Sequence, residues 1–295
     1  MVFNMFFMCV MLFCAISFDV RALETVDFLD SMLNVAQYNI AGQKVALSEC
    51  PLAHWHDFNA LYEKYMVADS VHSLQERIPK IIHHIWLGSP LPDRCKWFIE
   101  TWKKHNPDWT FILWDDARVA KLRLVNLRAY IAATNWGEKS DIVRYEVLYR
   151  FGGLYVDTDF ECLQSFDELH HCCDFYVGAY PDAGGGSCYV FNGLIGSVPG
   201  HSILKRCIRG IRSNNSKKLN RPDDIMNRTG PKHLTRCLRA AIKAGDEIGR
   251  CVPFPPIYFY AWPGVLRRDK SRQFIETFIR PESLAIHHWA VSWLH

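Results

Sequence analysis

Two aspartates separated by one residue are the side chains most able to do chemistry in this sequence. Asp157 and Asp159 follow the apolar residues 154–156, a pattern that predicts a short strand running into a turn. Residues two apart on a strand point the same way, so both carboxylates are expected to face one side. Paired carboxylate oxygens suit Mg²⁺ or Mn²⁺. The ordinary alternative is a solvated turn, since such a triplet arises by chance about once in a chain of this length.

A charged pair on the preceding helix gives the two aspartates a context. The pattern of residues 138–151 predicts a helix, on which Asp141 and Arg144 lie three apart and share a face. Gly152 and Gly153 are expected to end the helix and fold it back onto the aspartates, because glycine accepts a left-handed backbone. A buried arginine aimed at two carboxylates and a phosphate makes strong charge-assisted bonds. The alternative is a surface ion pair worth about 0.3 kcal/mol.

The elements upstream predict where these side chains lie. An apolar run at 81–87, a helical pattern at 93–105 and a second apolar run at 109–113 describe a β-α-β unit with a parallel sheet. Ligands bind beyond the carboxyl ends of such strands, so Trp86 is expected beside a nucleotide unless it is simply a core residue. Further strands are predicted at 175–179, 189–195 and 283–293, and further helices at 201–211 and 231–244.

Composition narrows the class of protein. The chain has 295 residues, of which 49% are apolar and 22% charged, so a disordered or fibrous chain is excluded. Lys and Arg number 34 against 31 Asp and Glu, and a net charge of +3 predicts no dedicated nucleic-acid role. The length fits one large domain, or one domain with a small appendage.

The N-terminus predicts export. Residues 1–22 contain the apolar run 6–16 and end in Val-Arg-Ala, which resembles the cleavage site of a secretory signal peptide. The run is short for a membrane span, and the alternative is an uncleaved signal-anchor. We therefore expect a protein of the secretory pathway, secreted or signal-anchored, with membrane contact only through this segment. Residues 23–77 predict a helical segment without an interpretable motif.

The cysteine count also bears on the compartment. Two of the eleven cysteines lie in the leader, which leaves nine, an odd number that cannot pair fully. None of the spacings is that of a two-plus-two zinc site. One or two disulfides are expected if the protein is exported.

Several motifs taken together resemble one family. Ser-Asp-Ile-Val-Arg-Tyr at 140–145 and Phe-Gly-Gly-Leu-Tyr-Val-Asp-Thr-Asp at 151–159 resemble the signature of the DXD sugar-binding glycosyltransferases, glycosyltransferase family 32. That family includes fungal initiating mannosyltransferases and sphingolipid mannosyltransferases, with the clostridial glucosylating toxins as distant relatives. Further matches in the family's order are Ile-Pro-Lys-Ile-Ile-His from Ile78, Ile85-Trp86, Asn192-Gly193, Pro199-Gly200-His201, His287-His288-Trp289 and Ser292-Trp293.

The resemblance implies a fold and a donor site. Residues 78–295 would form a GT-A domain of the α/β class, a Rossmann-like mixed sheet with helices on both faces, after the short N-terminal helical segment. Trp86 would lie against the base of a nucleotide-sugar donor, and Trp293 would contact its diphosphate. Asp141 and Arg144 would hold sugar hydroxyls, and Tyr155 would support that pocket.

The resemblance also implies a metal and an acceptor side. Asp159 would bind Mn²⁺ or Mg²⁺ directly, and Asp157 would bridge the ribose or sugar and a metal-bound water. His287 or Ser292 would supply a later ligand, while Asn192 would lie near the acceptor. Adjacent strand residues face opposite ways, so at most one of His287 and the histidine after it is expected at the metal.

The activity implied is that of a retaining hexosyltransferase. The donor would be GDP-mannose by frequency in the family, with a UDP-hexose as the second expectation, and the acceptor a glycan, glycolipid or protein. No carboxylate of the matched motifs is an obvious nucleophile below the sugar ring. A front-face displacement through an oxocarbenium-like state, stabilised by the metal and Arg144, is therefore the expected mechanism.

Two other functions are compatible with parts of the pattern. Phosphatases of the haloacid-dehalogenase type also carry Asp-x-Asp after a strand, but have Thr or Val at the position occupied here by Glu161. A non-catalytic sugar-binding module would keep the fold without turnover, yet every charged position of the matched motifs is present. Hydrolysis of a nucleotide sugar would separate these alternatives.

Overall fold

The computed structural model describes residues 23–38, 55–68, 76–181, 188–212 and 221–290. The predicted leader, Ser292 and Trp293 lie outside these residues. The strands are β1 (Ile81–Ile85), β2 (Thr110–Trp114), β3 (Gly153–Val156), β4 (Phe160–Cys162), β5 (Phe175–Pro181), β6 (Cys188–Ser197), β7 (Cys251–Phe254) and β8 (Ala285–His287). The helices are α1 (Phe28–Ala36), α2 (His56–Tyr62), α3 (Asp93–His105), α4 (Asp116–Val119), α5 (Leu127–Ala132), α6 (Trp136–Phe151), α7 (Asp167–Cys172), α8 (Ser202–Gly210), α9 (Pro222–Arg228), α10 (Pro231–Ala244) and α11 (Arg272–Glu276).

Six strands form one mixed sheet in the order β2-β1-β3-β6-β5-β7. β1 runs parallel to β2 and β3, β5 runs parallel to β7, and β6 is antiparallel to both of its neighbours. Helix α6 packs on β1, β3 and β6, α10 packs on β6, and the N-terminal α1 and α2 pack on β5 and β7. The predicted α/β class with a mixed sheet is confirmed, as are the β-α-β unit and the bounds of α3 and α10.

Two buried histidines tie β1 to the elements that carry the aspartates. Trp114 donates to Nδ1 of His83 at 3.1 Å, so the other ring nitrogen donates to the carbonyl of Gly152 at 3.0 Å. His84 Nδ1 lies 2.9 Å from the carbonyl of Val156. Burial lowers the pKa of both rings to about 4, and they are neutral at physiological pH. These histidines fix the end of α6 and the whole of β3 beside β1.

The reversal between α6 and β3 depends on two glycines. Gly152 has φ +63° and Gly153 φ +92°, a backbone region that other residues rarely adopt. A Cβ on Gly152 would lie 2.7 Å from Cδ of Pro199, and one on Gly153 would lie 2.5 Å from the carbonyl oxygen of Ile81. The close approach therefore requires glycine at both positions and places the start of β3 next to the start of β1.

The predicted short strand running into a turn is confirmed, but both aspartates lie beyond the strand, so strand alternation does not set the direction of their carboxylates. β3 ends at Val156, and the chain leaves the sheet through a turn that contains Asp159 before β4 begins. The amide of Asp157 donates to the carbonyl of Gly193 on β6 at 2.7 Å, so this tertiary bond fixes the turn in place of strand alternation. β4 pairs antiparallel with β8 in a separate two-stranded sheet.

Two further expectations differ from the structure. Of the strand predicted at 283–293, residues 291–293 lie outside the described residues, and within the rest only 285–287 form a strand, β8, which pairs with the equally short β4. The eight cysteines of the described residues are all free thiols, so neither of the expected disulfides is seen there. Within those residues, none of the helices has the length and apolar character needed to cross a bilayer.

Candidate functional site

A cleft of about 660 Å³ opens at the carboxyl ends of β1 and β3. Trp86 follows β1 and Asp157 follows β3, which is where ligands bind to sheets of this kind. The indole of Trp86 is partly buried, and its Nε1 donates to Ser89 at 3.1 Å. The lining also includes Arg94, Trp136, Ser140, Asp141, Arg144, Tyr155, Asp159, Asn192, Gly193, Met226, Tyr260, His287, Trp289 and Ala290.

Arg144 is the buried cation at the centre of this lining. Only 5% of its side chain is exposed, and its guanidinium lies 3.1 Å from Asp141 and 3.1 Å from Asp157. It also donates to the carbonyl of Asn192 at 2.6 Å and stacks on the ring of Tyr155, with Cζ 4.3 Å from the centroid. Four fixed partners hold the planar group in one orientation, as the helix spacing of Asp141 and Arg144 predicts.

Asp141 supports Arg144 from the helix side. Its Oδ1 accepts a hydrogen bond from Nδ2 of Asn192 at 2.8 Å, and its Oδ2 accepts one from Thr229 at 2.9 Å. Burial raises the pKa of this carboxyl to about 6, although Arg144 and the two hydrogen bonds favour the ionised form. Both oxygens are therefore engaged with protein groups, and Asn192 faces Asp141.

Asp157 is the carboxylate of the pair that faces both Arg144 and the cleft. The hydroxyl of Tyr155 donates to its Oδ1 at 2.6 Å, and 31% of the side chain is exposed. Burial raises its pKa, and the positive charge of Arg144 opposes that effect. A Cβ on Gly193 would lie 2.8 Å from Oδ2, so a glycine is needed where β6 passes this carboxylate.

Asp159 is held by the last residue of β8 and by the segment that follows it. Nε2 of His287 lies 3.1 Å from its Oδ1, and the amide of Ala290 donates to its Oδ2 at 2.7 Å. Burial alone would raise its pKa, but the charge and hydrogen bond of His287 outweigh burial and lower the pKa to about 2. Asp159 therefore stays ionised at physiological pH.

The two adjacent histidines contact different carboxylates. His287 stacks on Phe160 with centroids 4.4 Å apart, and its Nδ1 is buried without a hydrogen-bond partner. His288 turns away, with Nε2 3.0 Å from Glu161. Arg272 donates to both oxygens of Glu161 at 2.7 Å. Only the first histidine of the pair lies with the two aspartates.

Asp157, Asp159 and His287 form a set of groups that fits a divalent cation. One ligand atom from each lies within 4.8 Å of the other two, so the three can converge on one ion. Two carboxylates and one imidazole suit Mn²⁺ well and are acceptable to Mg²⁺.

Three residues were not predicted as site residues, two in the lining of the cleft and one beside it. Thr229 bonds Asp141 from the loop before α10, and Tyr260 lines the wall beyond β7. Trp289 has φ +47°, donates to the carbonyl of Trp262 at 2.9 Å, and turns its ring to the cleft. The match of Trp289 to the family pattern was a usable signal, whereas Thr229 and Tyr260 carry no local signal.

The amino-acid sequence was also compared with known proteins. Residues 92–175, which include Asp141 to Asp159, match the family model of the glycosyltransferase sugar-binding region containing the DXD motif. Inositol phosphoceramide mannosyltransferase 1 of Schizosaccharomyces pombe is 25% identical over an alignment that covers 54% of this chain. Inositol phosphoceramide mannosyltransferase 2 of the same organism is 29% identical over 65% of this chain. A human α-1,4-N-acetylglucosaminyltransferase is 28% identical over 54% of the chain and 44% of its own length. The matches span about half of the two fungal relatives, 51% and 53%. The resemblance stated from the motifs is confirmed.

Solved structures of low sequence identity also match. The PaToxG glycosyltransferase superposes with a TM-score of 0.47 at 20% identity, over 65% of this chain and 77% of its own. The catalytic domain of α-toxin from Clostridium novyi gives a TM-score of 0.46 at 11% identity, over 75% of this chain and 81% of the toxin domain.

Proposed function

We propose that this chain, which carries the DXD-containing sugar-binding region of glycosyltransferases, is a metal-dependent, retaining transferase that uses a nucleotide-diphosphate sugar. One observation carries the proposal. The three candidate metal ligands, which we call the ligand trio, are Asp157, Asp159 and His287. They open on the same cleft as the buried guanidinium of Arg144, at the carboxyl ends of the parallel strands. A diphosphate–cation pair and a sugar would need these two kinds of group side by side.

The ligand trio would hold the ion and, through it, the diphosphate. Mn²⁺ or Mg²⁺ supplies neutralisation of the charge that develops on the leaving diphosphate. Asp159 is suited to direct ligation because it is ionised and held by the amide of Ala290. Trp86 at the cleft mouth would lie against the base, and we assign Ser292 and Trp293 to the same donor side by the resemblance alone.

Arg144 would act on the sugar and on the transition state. Its guanidinium is fixed by Asp141, Asp157 and the carbonyl of Asn192, so no reorganisation is needed when charge develops at the sugar–phosphate bond. Tyr155 supports the pocket by stacking on this cation. Asn192 is part of the cleft lining beside Asp141, and we assign it to the acceptor side by the resemblance alone.

The carboxylates of the cleft favour retention by a front-face displacement. Among the described residues, Asp141, Asp157 and Asp159 are the acidic side chains that line the cleft. Two of them belong to the ligand trio, and both oxygens of Asp141 are engaged with Asn192 and Thr229. None is left to form a covalent glycosyl intermediate. The acceptor hydroxyl would attack on the side from which the diphosphate departs, and its proton would pass to the leaving phosphate oxygen.

The names of the relatives support a choice of candidate donors and acceptors. GDP-mannose is the first candidate donor, because the fungal relatives are named as mannosyltransferases. A UDP-hexose is the second, in line with the human N-acetylglucosaminyltransferase. The acceptor would be a glycan, glycolipid or protein of the secretory pathway, and the fungal relatives are named for a lipid acceptor, inositol phosphoceramide.

A panel of GDP- and UDP-sugars tests the proposal directly. The purified chain is incubated with each donor, with Mn²⁺ or with a chelator, and release of the free nucleotide diphosphate is measured. We expect hydrolysis of one donor class that the chelator abolishes and that Asp159→Asn removes. Asp93→Asn is the matched control, because Asp93 is an aspartate exposed at the start of α3. Saturable binding of a donor without turnover would instead identify a sugar-binding module, and neither binding nor turnover would refute the proposal.

A further inference from the structure

A second cavity of about 710 Å³ lies between α8 and α10. Its lining differs in charge from that of the sugar cleft, since four of its side chains are cationic and one is acidic. Arg206 is paired with that acid, Asp246. The residues that line it are Ser202, Lys205, Arg206, Arg209, Gly210, His233, Arg236, Cys237, Ala240 and Asp246. A ligand of this cavity is therefore expected to be anionic.

Two cysteines and a histidine meet at the wall of this cavity. Cys207 on α8 is fully buried, while Cys237 on α10 is 9% exposed and lines the cavity. His233 lies one turn before Cys237 on the same helix face. One ligand-type atom from each of the three lies within 4.8 Å of the other two.

The hydrogen bonds of His233 decide what this cluster can do. Arg236 lies with Nη2 3.2 Å from Nδ1 of the ring, and since a guanidinium only donates, Nδ1 must accept. Nε2 therefore carries the proton, and it lies 2.9 Å from the carbonyl of Cys207 and 3.8 Å from the sulfur of Cys237. A protonated Nε2 cannot ligate a metal ion, but it favours a negative charge on the sulfur beside it.

We propose that Cys237 is a redox-active nucleophile that attacks an anionic low-molecular-weight disulfide bound in this cavity, and that Cys207 resolves the product. The cations at Lys205, Arg209 and Arg236 would bind the carboxylates of such a molecule. Glutathione disulfide has the required charge and supplies the oxidising equivalent.

The reaction proceeds by two exchanges. The thiolate of Cys237 forms a bond to one sulfur of glutathione disulfide, and the other glutathione leaves as a thiolate that takes a proton from water. Cys207 then attacks the Cys237 sulfur, forms the intramolecular disulfide and expels the second glutathione, which accepts the proton lost by Cys207. The protein is oxidised by two electrons, and one disulfide becomes two thiols.

The protonation of the two sulfurs agrees with these roles. Hydrogen bonds from Cys207 and His233 and the charge of Arg236 outweigh burial and lower the pKa of Cys237 to about 5. Burial raises the pKa of Cys207 above that of an ordinary thiol. Cys237 is the attacking thiolate for this reason, and Cys207 keeps its proton until the second step.

Intact-mass spectrometry of the full chain with glutathione disulfide tests the proposal. We expect the parent to lose two hydrogens, with a peptide map joining Cys207 to Cys237. The Cys207→Ala variant should instead accumulate one glutathionyl group on Cys237, because no thiol resolves it. The Cys237→Ala variant should show neither product.

Two further variants keep the test independent of folding defects. Cys188→Ala is the matched control, since Cys188 is buried and burial raises its pKa to about 12, so its loss should leave both products unchanged. Arg236→Ala keeps both sulfurs and should slow adduct formation by about threefold or more. A parent that forms no Cys207–Cys237 bond, an adduct that maps to another cysteine, or an unchanged rate in Arg236→Ala would overturn the proposal.

Discussion

Replacing Arg144 with lysine tests whether the shape of the buried cation matters as well as its charge. The guanidinium contacts Asp141 and Asp157, each at 3.1 Å, and donates to the carbonyl of Asn192 at 2.6 Å. These partners lie around one planar fork. A lysine ammonium has the same charge but a compact head, which can satisfy one carboxylate and not both.

The magnitude follows from the contacts that are lost. Losing at least one charge-assisted hydrogen bond at a buried site costs roughly 1.5–3 kcal/mol of the free energy of unfolding. Only the part of the loss that differs between ground state and transition state lowers the rate. We expect turnover to fall by at least about tenfold, which corresponds to about 1.4 kcal/mol of activation free energy.

The assay is metal-stimulated nucleotide-sugar hydrolysis, read together with urea unfolding of the same preparations. Arg150→Lys is the matched control, because Arg150 lies on the same helix and pairs with Glu146 at a more exposed position. Its turnover should stay within about twofold of the parent, as expected for a partly exposed ion pair. A folded Arg144→Lys protein with unchanged turnover would refute the reasoning and leave Arg144 as a structural residue.

The remaining predictions concern the carboxylates and the histidine pair. Asp159→Ala should abolish Mn²⁺-stimulated turnover while circular dichroism stays native, and near-normal activity in chelator would contradict a metal mechanism. His287→Ala should raise the Mn²⁺ concentration needed for half-activation more than His288→Ala does, because of the two imidazole rings only that of His287 contacts the Asp159 carboxylate; equal shifts would show that the contact is not used. The pKa of Asp141 is raised by burial from 3.8 to about 6, so its contribution to stability is full below pH 4 and is lost as the pH rises through 6. Asp141→Asn should therefore flatten the unfolding free energy between pH 4 and 6, and an unchanged slope would show that another group titrates there.

The sequence was most informative where local chemistry decides the structure. The C-terminal end of α3 follows from Asn106-Pro107, because proline restricts the backbone of the residue before it. The reversal before β3 follows from Gly152 and Gly153, because glycine readily adopts a positive φ. The helical spacing of Asp141 and Arg144 likewise predicts their contact.

The features that could not be predicted from the sequence depend on contacts between distant segments. The turn that carries Asp157 and Asp159 is fixed by the carbonyl of Gly193, and nothing near the motif encodes that bond. Thr229 reaches Asp141 from 88 positions away, and the brevity of β8 reflects the brevity of its only partner strand. Such features depend on which distant segments meet, and a single sequence does not record that.

The contact between Asp159 and His287 closes a loop of 128 positions within the candidate metal site. Loop closure of this length costs conformational entropy. An ion that bound both side chains would act as a removable cross-link. At a free concentration one hundred times its dissociation constant, it would raise the free energy of unfolding by about 2.7 kcal/mol. The availability of the cation would then set the stability of the fold as well as the proposed activity.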